Sequence, residues 1–456
     1  MNLQAWGLCL LALKVSVVFG QKMMYDGDQV FKVTPQTSEQ AQHLQGLCKT
    51  WLLDLWKPSQ VENIHPRAEV HVMVPASFLE QLRENLLHYT IPFEVLISNV
   101  GELLGHNNIG SQRKQIKSLA NYDYTRYHVM DEIYDWMSLI VEQNTDVVSM
   151  HYLGSTYESR PIFYLKIGVP SSVPKKIIWM DCGIHAREWI APAYCQWFVK
   201  EILANRHSDS KLNKVLQAVD FYIVPVLNID GYIYSWTKDR LWRKSRSPHN
   251  NGTCYGVDLN RNFDAKWCSI GASPNCSDLT FCGTGPASEP ETEAVARLVK
   301  SRQSDVLCFL TIHSYGQLIL QAYGYTEEPS KNHNEMLNVS KNAAAAILSK
   351  HGKEYRTGSA SLILYPNSGS SRDWATDLGI PFSYTFELRD KGVHGFVLPE
   401  DQIQPTCEET MAGMMYIVNH VSAPYIGNSA VTIISVSRWN NVLLAFILSS
   451  SCTLLW

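Results

Sequence analysis

His185, Arg187 and Glu188 stand close together in the stretch DCGIHAREWI, residues 181–190. The stretch follows the apolar run IIWM and precedes a predicted helix, so these side chains are expected at the end of a strand. An imidazole and a carboxylate three positions apart on a turn can reach one metal ion. A guanidinium beside them suits an anion, because its planar fork can bind both oxygens of a carboxylate.

Other polar residues also follow predicted strands. The runs IFYLKIG, KIIWMDCG, DFYIVPVLN, VLCFLTIHSY and PFSYTFELRD are continuously apolar, which is typical of strands in a sheet covered on both faces. In an open α/β sheet, the carboxyl ends of the strands form the rim of the ligand crevice. The polar residues at these ends are His185, Glu188, Asn228, Asp230, His313 and Glu387.

Two histidines and a carboxylate form the protein ligands of a catalytic zinc site, which keeps its fourth position open. His185 and Glu188 are the predicted ligands from one turn, and His313 is the third, from another strand end. Glu387 is a candidate general base, because a carboxylate beside a Lewis acid can take a proton from an attacking water. Taken singly, each residue also fits an ordinary structural role, so the prediction rests on their joint placement.

The overall composition gives no sign of a nucleic-acid or anionic membrane partner. The chain has 456 residues, of which 45% are hydrophobic, so it can bury a large core and is expected to form more than one domain. Its 39 basic and 43 acidic side chains leave a net charge of only −4. For the basic stretch RLWRKSR, residues 240–246, a solvated face or a nucleic-acid patch is the alternative to a catalytic role.

Both ends of the chain resemble processing signals. Residues 1–20 fit a secretory signal peptide. Residues 441–456 are largely apolar but fall short of the roughly 20 residues that a transmembrane helix needs. The small residues 427–430 and a spacer precede them, which is the pattern of a lipid-anchor signal with Asn428 or Ser429 as the attachment residue. A tail-anchored membrane helix and a buried terminal helix are the alternatives.

The cysteines indicate an oxidising compartment. Zinc ribbons are the competing interpretation, but no C-x-x-C pair occurs in the sequence, so disulfides are favoured and their pairing stays open. Three further cysteines, Cys48, Cys308 and Cys407, are expected to be buried free thiols. Asn251 and Asn338 begin sequons and are predicted glycosylation sites, with Asn275 as a weaker third. The six clustered cysteines are Cys182, Cys195, Cys254, Cys268, Cys276 and Cys282.

Residues 27–105 predict a small α+β unit that precedes the larger domain. Strand-like runs (DQVFKVTP, AEVHVMVP, FEVLISNV) alternate there with helix-like runs (SEQAQHLQGLCKTWLLDLW, SFLEQLRENLLHY). A polar, basic linker follows, in which Arg113, Lys114 and Lys117 are predicted to be accessible to a trypsin-like protease.

Six spaced motifs resemble, in the same order, those of the pancreatic-type A/B zinc carboxypeptidases. The similarity runs from about Tyr122 to Val421, and the preceding unit is similar to the activation segment of that family. The motifs are HAREW at 185–189, RLWRKSR at 240–246, GVDLNRNFDAKW at 256–267, IHSYGQ at 312–317, LYPNSGSSRDW at 364–374 and FELRD at 386–390.

The resemblance implies an α/β fold with a mixed, mostly parallel sheet sandwiched by helices, preceded by a small ferredoxin-like α+β prodomain. The expected division is a signal peptide at 1–20, an activation prodomain at 21–113, a catalytic domain at 114–428 and a removed anchor signal at 429–456. The implied disulfides are Cys182–Cys195, Cys254–Cys276 and Cys268–Cys282.

The resemblance also implies roles in hydrolysis of the C-terminal peptide bond. His185, Glu188 and His313 hold one Zn²⁺, Glu387 is the base, and Arg243 polarises the scissile carbonyl. Loss of a ligand, the base or this arginine would instead mark a binding protein on a peptidase fold, and none of them is missing. The implied substrate contacts are Arg187, Asn260, Arg261, Ser314, Tyr315, Tyr365 and Phe396, of which Asn260, Arg261 and Tyr365 clamp the free carboxylate.

Arg372 departs from the family pattern at the floor of the specificity pocket. An apolar residue there goes with hydrophobic C-terminal residues of the substrate, and an aspartate goes with basic ones. An arginine predicts acidic ones, Glu especially, because a substrate carboxylate supplies the counter-charge. The alternative is that Arg372 turns away and pairs with Asp373, which leaves an apolar pocket near Leu320, Ala360 and Thr385.

Overall fold

The computed structural model describes residues 22–106 and 116–426. The predicted signal peptide, the predicted cleavage positions Arg113 and Lys114, and the predicted anchor residues Asn428 and Ser429 lie outside the described residues. Lys117, the third predicted cleavage position, is described and exposed.

The N-terminal unit is a four-stranded antiparallel sheet with the strand order β2-β3-β1-β4, which is the ferredoxin-like arrangement. Its own apolar core includes Phe31, Leu44, Val72 and Leu82. Its elements are β1 (Gln29–Val33), α1 (Ser38–Thr50), β2 (Asp54–Lys57), β3 (Val70–Val74), α2 (Leu79–His88), β4 (Phe93–Ile97) and α3 (Val100–His106).

The first helix is shorter than the sequence pattern predicts. The helix-like run extends to Trp56, but α1 ends at Thr50 and Leu52 adopts a left-handed conformation with φ of 52°. The chain then forms β2, in which Leu55 pairs with Val72 of β3. Pairing with a neighbouring strand therefore outweighs the helical pattern of these apolar residues, and it turns Trp56 toward the larger domain.

The larger domain alternates helices with strands. A two-stranded hairpin, β9–β10, lies apart from its main sheet. The elements are α4 (Met130–Gln143), β5 (Val148–Ser155), β6 (Pro161–Ile167), β7 (Lys176–Cys182), α5 (Ile190–Asn205), α6 (Ser210–Ala218), β8 (Val219–Val224), α7 (Ile229–Thr237), β9 (Pro248–His249), β10 (Cys254–Tyr255), α8 (Pro290–Ser301), β11 (Val306–His313), β12 (Leu318–Gln321), α9 (His333–His351), β13 (Arg356–Ser359), α10 (Ala360–Ile363), α11 (Ser371–Asp377), β14 (Phe382–Glu387) and α12 (Ile403–Ile426).

The main sheet has eight strands in the order β13-β12-β14-β11-β7-β8-β6-β5. The pairs β8–β7, β7–β11, β11–β14 and β12–β13 are parallel, whereas β5–β6, β6–β8 and β12–β14 are antiparallel. This mixed, mostly parallel sheet with flanking helices confirms the predicted fold class. Strands β5, β12 and β13 had no strand prediction.

The central strands are buried along most or all of their length, as their continuous apolar runs predict. All residues of β8 and β11 are buried, and Trp179 of β7 stacks on Phe309 of β11. The long helix α12 packs against α5, α6 and α9. The strand ends that carry the predicted site residues therefore project from a rigid core.

Three disulfides lie in the larger domain, and they join Cys182 to Cys195, Cys254 to Cys276, and Cys268 to Cys282. Cys48, Cys308 and Cys407 are buried free thiols. Among the helices of residues 22–106 and 116–426, none has both the length and the apolar character needed to cross a membrane.

Candidate metal centre and substrate cleft

His185, Glu188 and His313 converge at the carboxyl edge of the sheet. His185 and Glu188 lie on the turn between β7 and α5, and His313 is the last residue of β11. The Nδ1 atoms of the two histidines are 3.1 Å apart, and they lie 2.7 and 3.0 Å from the two carboxylate oxygens of Glu188. All three side chains are buried. Two imidazole nitrogens and a carboxylate at one point are the donor set that zinc takes, so these residues fit the ion.

The far side of each imidazole is held by a polar partner. His185 Nε2 lies 3.1 Å from Asp258 Oδ1, and His313 Nε2 lies 3.1 Å from Thr311 Oγ1. The Thr311 hydroxyl donates to Asp181 at 2.7 Å, so it accepts from His313. Both Nε2 atoms are then donors, which leaves both Nδ1 lone pairs free for a metal.

Glu387 is placed beside the ligands by the sheet register. It is the last residue of β14 and pairs in parallel register with His313 of β11. Burial, followed by the repulsion from Glu188, raises the pKa of Glu387 to about 8, although His185 and Arg243 oppose the shift. The side chain lines the same cavity as His185, Glu188 and Arg243, where a general base has to lie.

Asp258 connects the metal ligands to Arg243. Its Oδ2 accepts from Arg243 Nε at 3.0 Å and Nη2 at 2.8 Å, while its Oδ1 contacts His185. Burial lowers the pKa of Arg243, but attraction from Asp258 and Glu188 outweighs burial and places the pKa above the usual arginine value. Arg243 is therefore a fixed, permanently charged donor beside the ligand set.

The Asn260–Arg261 pair lies in a short 3₁₀ turn whose first residues are capped by Asp258. The side chain of Asp258 accepts from Asn260 N at 3.0 Å. Asn260 Oδ1 accepts from Ser371 N, and Arg261 donates to the oxygens of Gly271, Asn260 and Ser59. These partners of the Arg261 guanidinium are neutral oxygens, so its charge is free for an anionic ligand.

Arg372 lies in the same cavity and is paired. Its Nε donates to Asp373 Oδ1 at 2.9 Å, and its terminal nitrogens lie near the hydroxyls of Thr385 and Ser370. It lines the cavity together with Leu320 and Thr385. The pairing with Asp373 is the one expected for the apolar-pocket alternative, whereas the position of Arg372 on the cavity wall is the one expected for an acid-binding pocket.

The remaining predicted contacts line this cavity, with one exception. Ser314, Tyr315, Tyr365 and Phe396 all belong to its wall. Arg187 does not, but its guanidinium stacks on Phe396 with the Cζ atom 3.9 Å from the ring centroid. The structure therefore brings predicted residues at the ends of β7, β11 and β14 to one cleft, together with predicted residues from the segments between the strands.

The N-terminal unit covers the cleft. Trp56 packs against both Tyr315 and Phe396, with ring centroids 6.3 and 5.0 Å away. Asp54 forms an ion pair with Arg187 at 3.1 Å, and Ser59 accepts from Arg261 at 3.2 Å. A small cavity of about 50 Å³ is left beside His185, Glu188 and Arg372.

Sequence reasoning missed several residues that the structure places in the site. Asp258 stands inside the quoted motif GVDLNRNFDAKW, two positions before Asn260, and an aspartate before a turn is a capping signal. Thr311 stands two positions before His313 and shares its face of β11. No sequence pattern indicated that Asp54 and Trp56 contact the cleft, because the run that contains them was interpreted as a helix.

Comparison with known proteins agrees with the family resemblance of the sequence motifs. The family model described as "Zinc carboxypeptidase" matches residues 133–413, and the model described as "Carboxypeptidase activation peptide" matches residues 31–106. Carboxypeptidase O of Bos taurus is 66% identical over 307 residues, which are 67% of this chain and 82% of that protein. Carboxypeptidase B of Bos taurus is 42% identical over 397 residues, 87% of this chain and 94% of that protein.

A solved structure agrees over both units. The crystal structure of thrombin activatable fibrinolysis inhibitor (TAFI) has a TM-score of 0.81 and 41% sequence identity, and the match covers 88% of this chain and 100% of that one. The fold and the site define a metal-dependent peptide hydrolase with an N-terminal activation segment. The chain belongs to the zinc carboxypeptidase family, and it is a metallocarboxypeptidase that acts at the C-termini of peptides.

Proposed function

We propose that the protein is a zinc exopeptidase that removes acidic C-terminal residues, and glutamate in particular, from peptides and proteins. The observation that carries this proposal is the position of Arg372, a buried guanidinium on the wall of the cavity that also holds the metal ligands. Burying a cation is costly without nearby negative charge, and a substrate carboxylate adds such charge in a charge-assisted contact.

In the proposed reaction, His185, Glu188 and His313 hold a single zinc ion. When bound, zinc supplies a Lewis acid that stabilises negative charge and lowers the pKa of water. Arg243 donates to the scissile carbonyl oxygen as negative charge develops on it, and Asp258 keeps its guanidinium in place. Glu387 takes a proton from the attacking water and gives it to the nitrogen of the leaving amine.

Asn260 and Arg261 fix the end of the substrate. Arg261 binds the free C-terminal carboxylate through its planar fork, and Tyr365 closes on the same group. Arg187 is a secondary contact for that end of the substrate, and Tyr315 and Phe396 line subsites further along. Ser314 is a further substrate contact. A substrate without a free carboxylate leaves the buried charge of Arg261 unpaired, and this restricts the enzyme to chain ends.

The experiment is a comparison of kcat/KM for three peptides that differ only in a C-terminal Glu, Phe or Lys. The enzyme is the full chain after trypsin treatment. We expect Glu to be preferred over Phe by at least about 10-fold, and Lys to be the poorest because it brings like charge to Arg372. Preference for Phe would contradict the proposal.

A hydrophobic pocket is the second candidate, and one observation favours it. Arg372 already has a carboxylate partner in Asp373, and Leu318, Leu320 and Ala360 form an apolar cluster nearby. The variant Arg372→Asp separates the two specificities. If Arg372 sets specificity, this change shifts preference toward Lys and Arg. An unchanged order of substrates would support the apolar pocket.

The activation segment and the disulfides are features of a secreted protein. We propose further that a trypsin-like protease cuts the linker at Arg113, Lys114 or Lys117, and that the division into 21–113 and 114–428 follows from it. Exposed Asn251 and Asn338 are the proposed glycosylation sites.

We also propose a lipid anchor at Asn428 or Ser429 on the outer face of the plasma membrane. A phosphatidylinositol-specific phospholipase is then expected to release the protein from intact cells. Continued retention after this treatment would favour a membrane-spanning tail.

A further inference from the structure

The guanidinium of Arg372 is held at each of its three nitrogens. Nε donates to Asp373 Oδ1 at 2.9 Å, Nη1 to Thr385 Oγ1 at 3.3 Å and Nη2 to Ser370 Oγ at 3.2 Å. The residue is 2% exposed, so these contacts are sheltered from water. The short contact is to the charged partner, and the two long contacts are to neutral hydroxyls.

Asp373 is itself fixed to the backbone. Its Oδ2 accepts from Gly324 N at 2.8 Å, while Oδ1 accepts from Arg372. Gly324 follows β12 and Asp373 belongs to α11, so one carboxylate joins two elements of the pocket. The side chain of Asp373 is fully buried and cannot reach a substrate placed in the cavity without giving up one of these bonds.

These contacts leave the outer edge of the guanidinium available. A guanidinium has five N–H groups, one on Nε and two on each terminal nitrogen. Asp373 takes the hydrogen of Nε, and each hydroxyl takes one hydrogen of a terminal nitrogen. One N–H therefore remains on Nη1 and one on Nη2, which is what bidentate binding of a carboxylate requires.

We propose that Asp373 is a positioning residue for specificity, which orients Arg372 so that its two free N–H groups bind the side-chain carboxylate of the substrate. The hydroxyls of Thr385 and Ser370 help to hold the guanidinium in this orientation. The inference rests on the acidic preference proposed above and names the residues that make it possible. Asp373 acts through Arg372 and does not contact the substrate.

The alternative role for Asp373, neutralising the charge of Arg372, predicts the opposite change in KM. If Asp373 only neutralised Arg372, its removal would strengthen the attraction between Arg372 and an acidic substrate, and KM would fall. If Asp373 orients Arg372, its removal lets the Arg372 guanidinium rotate away from the position that binds the substrate carboxylate, and KM rises. The sign of the change in KM therefore distinguishes the two roles.

The test is Asp373→Asn in the full chain after trypsin treatment. The single amide oxygen of Asn can accept from Arg372 Nε or from Gly324 N but not from both, and its NH₂ group then faces a donor. For a peptide ending in Glu, we expect KM to rise roughly 10-fold with kcat within about 2-fold of the unmodified enzyme, and KM for a matched peptide ending in Phe to stay unchanged. Asp377→Asn, on the exposed side of the same helix, is the matched control.

A second pair of variants covers the case in which Asp373→Asn fails to fold. Thr385→Val removes the hydroxyl at constant shape, and Thr385→Ser restores it. We expect Thr385→Val to raise KM for the Glu peptide several-fold without raising it for the Phe peptide, and Thr385→Ser to be close to the unmodified enzyme.

The outcomes separate this inference from the proposed function. An unmodified enzyme that prefers Glu, together with an unchanged or lower KM in folded Asp373→Asn, overturns the positioning role alone. Equal effects of Thr385→Val on the Glu and Phe peptides also overturn it. An unmodified enzyme that prefers Phe overturns the acidic preference itself.

Discussion

His313 and Glu387 are register partners at the ends of the parallel strands β11 and β14. This pairing places a carboxylate beside the metal ligands without a direct bond to them, because neighbouring parallel strands end at the same edge. The predicted ligand His313 and the proposed base Glu387 are 74 positions apart in sequence, and the backbone of the sheet sets the distance between them.

Glu387→Gln is therefore expected to bind zinc and substrate but to lose turnover by about 10²–10⁴-fold, because an amide cannot accept the proton of the water. Steady-state kinetics and zinc analysis of the purified variant check this. Glu327→Gln, the same change at an exposed position, is the control. Near-normal turnover by Glu387→Gln would mean that another group is the base.

Removal of the metal is expected to abolish hydrolysis. His185, Glu188 and His313 supply three ligands, so a strong chelator that competes for the ion is expected to remove it. Activity is measured after chelation and after the addition of one equivalent of zinc. Activity that survives complete removal of zinc would contradict the assignment of these ligands.

Asp258→Asn tests the connection between His185 and Arg243. Because the carboxylate accepts from both side chains, its loss is expected to weaken zinc binding by roughly 10–100-fold and to lower kcat as well. Competition with a chelator of known affinity measures the first effect. Asp264→Asn, an exposed neighbour, should change neither quantity. Loss of kcat with unchanged zinc affinity would restrict the role of Asp258 to Arg243.

Trp56→Ala is expected to increase the activity of the uncleaved precursor. The indole packs on Tyr315 and Phe396, so its loss should weaken the covering of the cleft by about 3 kcal/mol. Hydrolysis of a small substrate before and after trypsin treatment measures the effect. Leu87→Ala, at an exposed apolar residue of the same unit, is the control. An unchanged precursor activity would mean that Trp56 does not hold the cover closed.

Glu291 gives a pH dependence of stability that is independent of the metal site. Burial, with a smaller contribution from Glu289, raises the pKa of Glu291 to about 8 from its ordinary 4.5. Between these values the folded state keeps a proton that the unfolded state releases, so this group stabilises the fold at low pH. Its contribution is lost as the pH rises through about 8.

Glu291→Gln is therefore expected to be more stable than the unmodified protein at pH 9, by about 1–3 kcal/mol, with a smaller difference at pH 5. The amide oxygen can still accept from Tyr157 N, as Glu291 Oε1 does at 3.1 Å. Denaturant unfolding at both pH values measures the difference. Glu293→Gln on the exposed face of α8 should leave the pH slope as it is. Parallel slopes for both variants would show that Glu291 is ionised in the folded protein.

Much of the fold was predictable because its signals are local. The apolar runs that form β6, β7, β8, β11 and β14 are continuous, and their short length and their β-branched and aromatic residues favour buried strands over buried helices. The short strands β12 and β13 carry no such run. Strand β2 looks like the end of a helix, since only its pairing with β3 distinguishes the two.

The sequence by itself determined which residues could do chemistry. His185, Glu188, His313 and Glu387 are polar residues at the ends of apolar runs, a pattern that is visible without coordinates. Their meeting at one point follows from the general rule that parallel strands end at the same edge of a sheet. The pairing of the six cysteines could be predicted only from the resemblance of the motifs to a known family, because cysteine spacing alone does not determine the pairing.

The partners of these residues were decided only by the tertiary structure. Asp258 lies between His185 and Arg243 because a loop returns across the strand ends, and Arg372 meets Thr385 because α11 packs against β14. Asp54 reaches Arg187 only because two separate units dock. Side-chain partners depend on angles and distances between distant elements, and packing fixes these after the local patterns of the sequence have been satisfied.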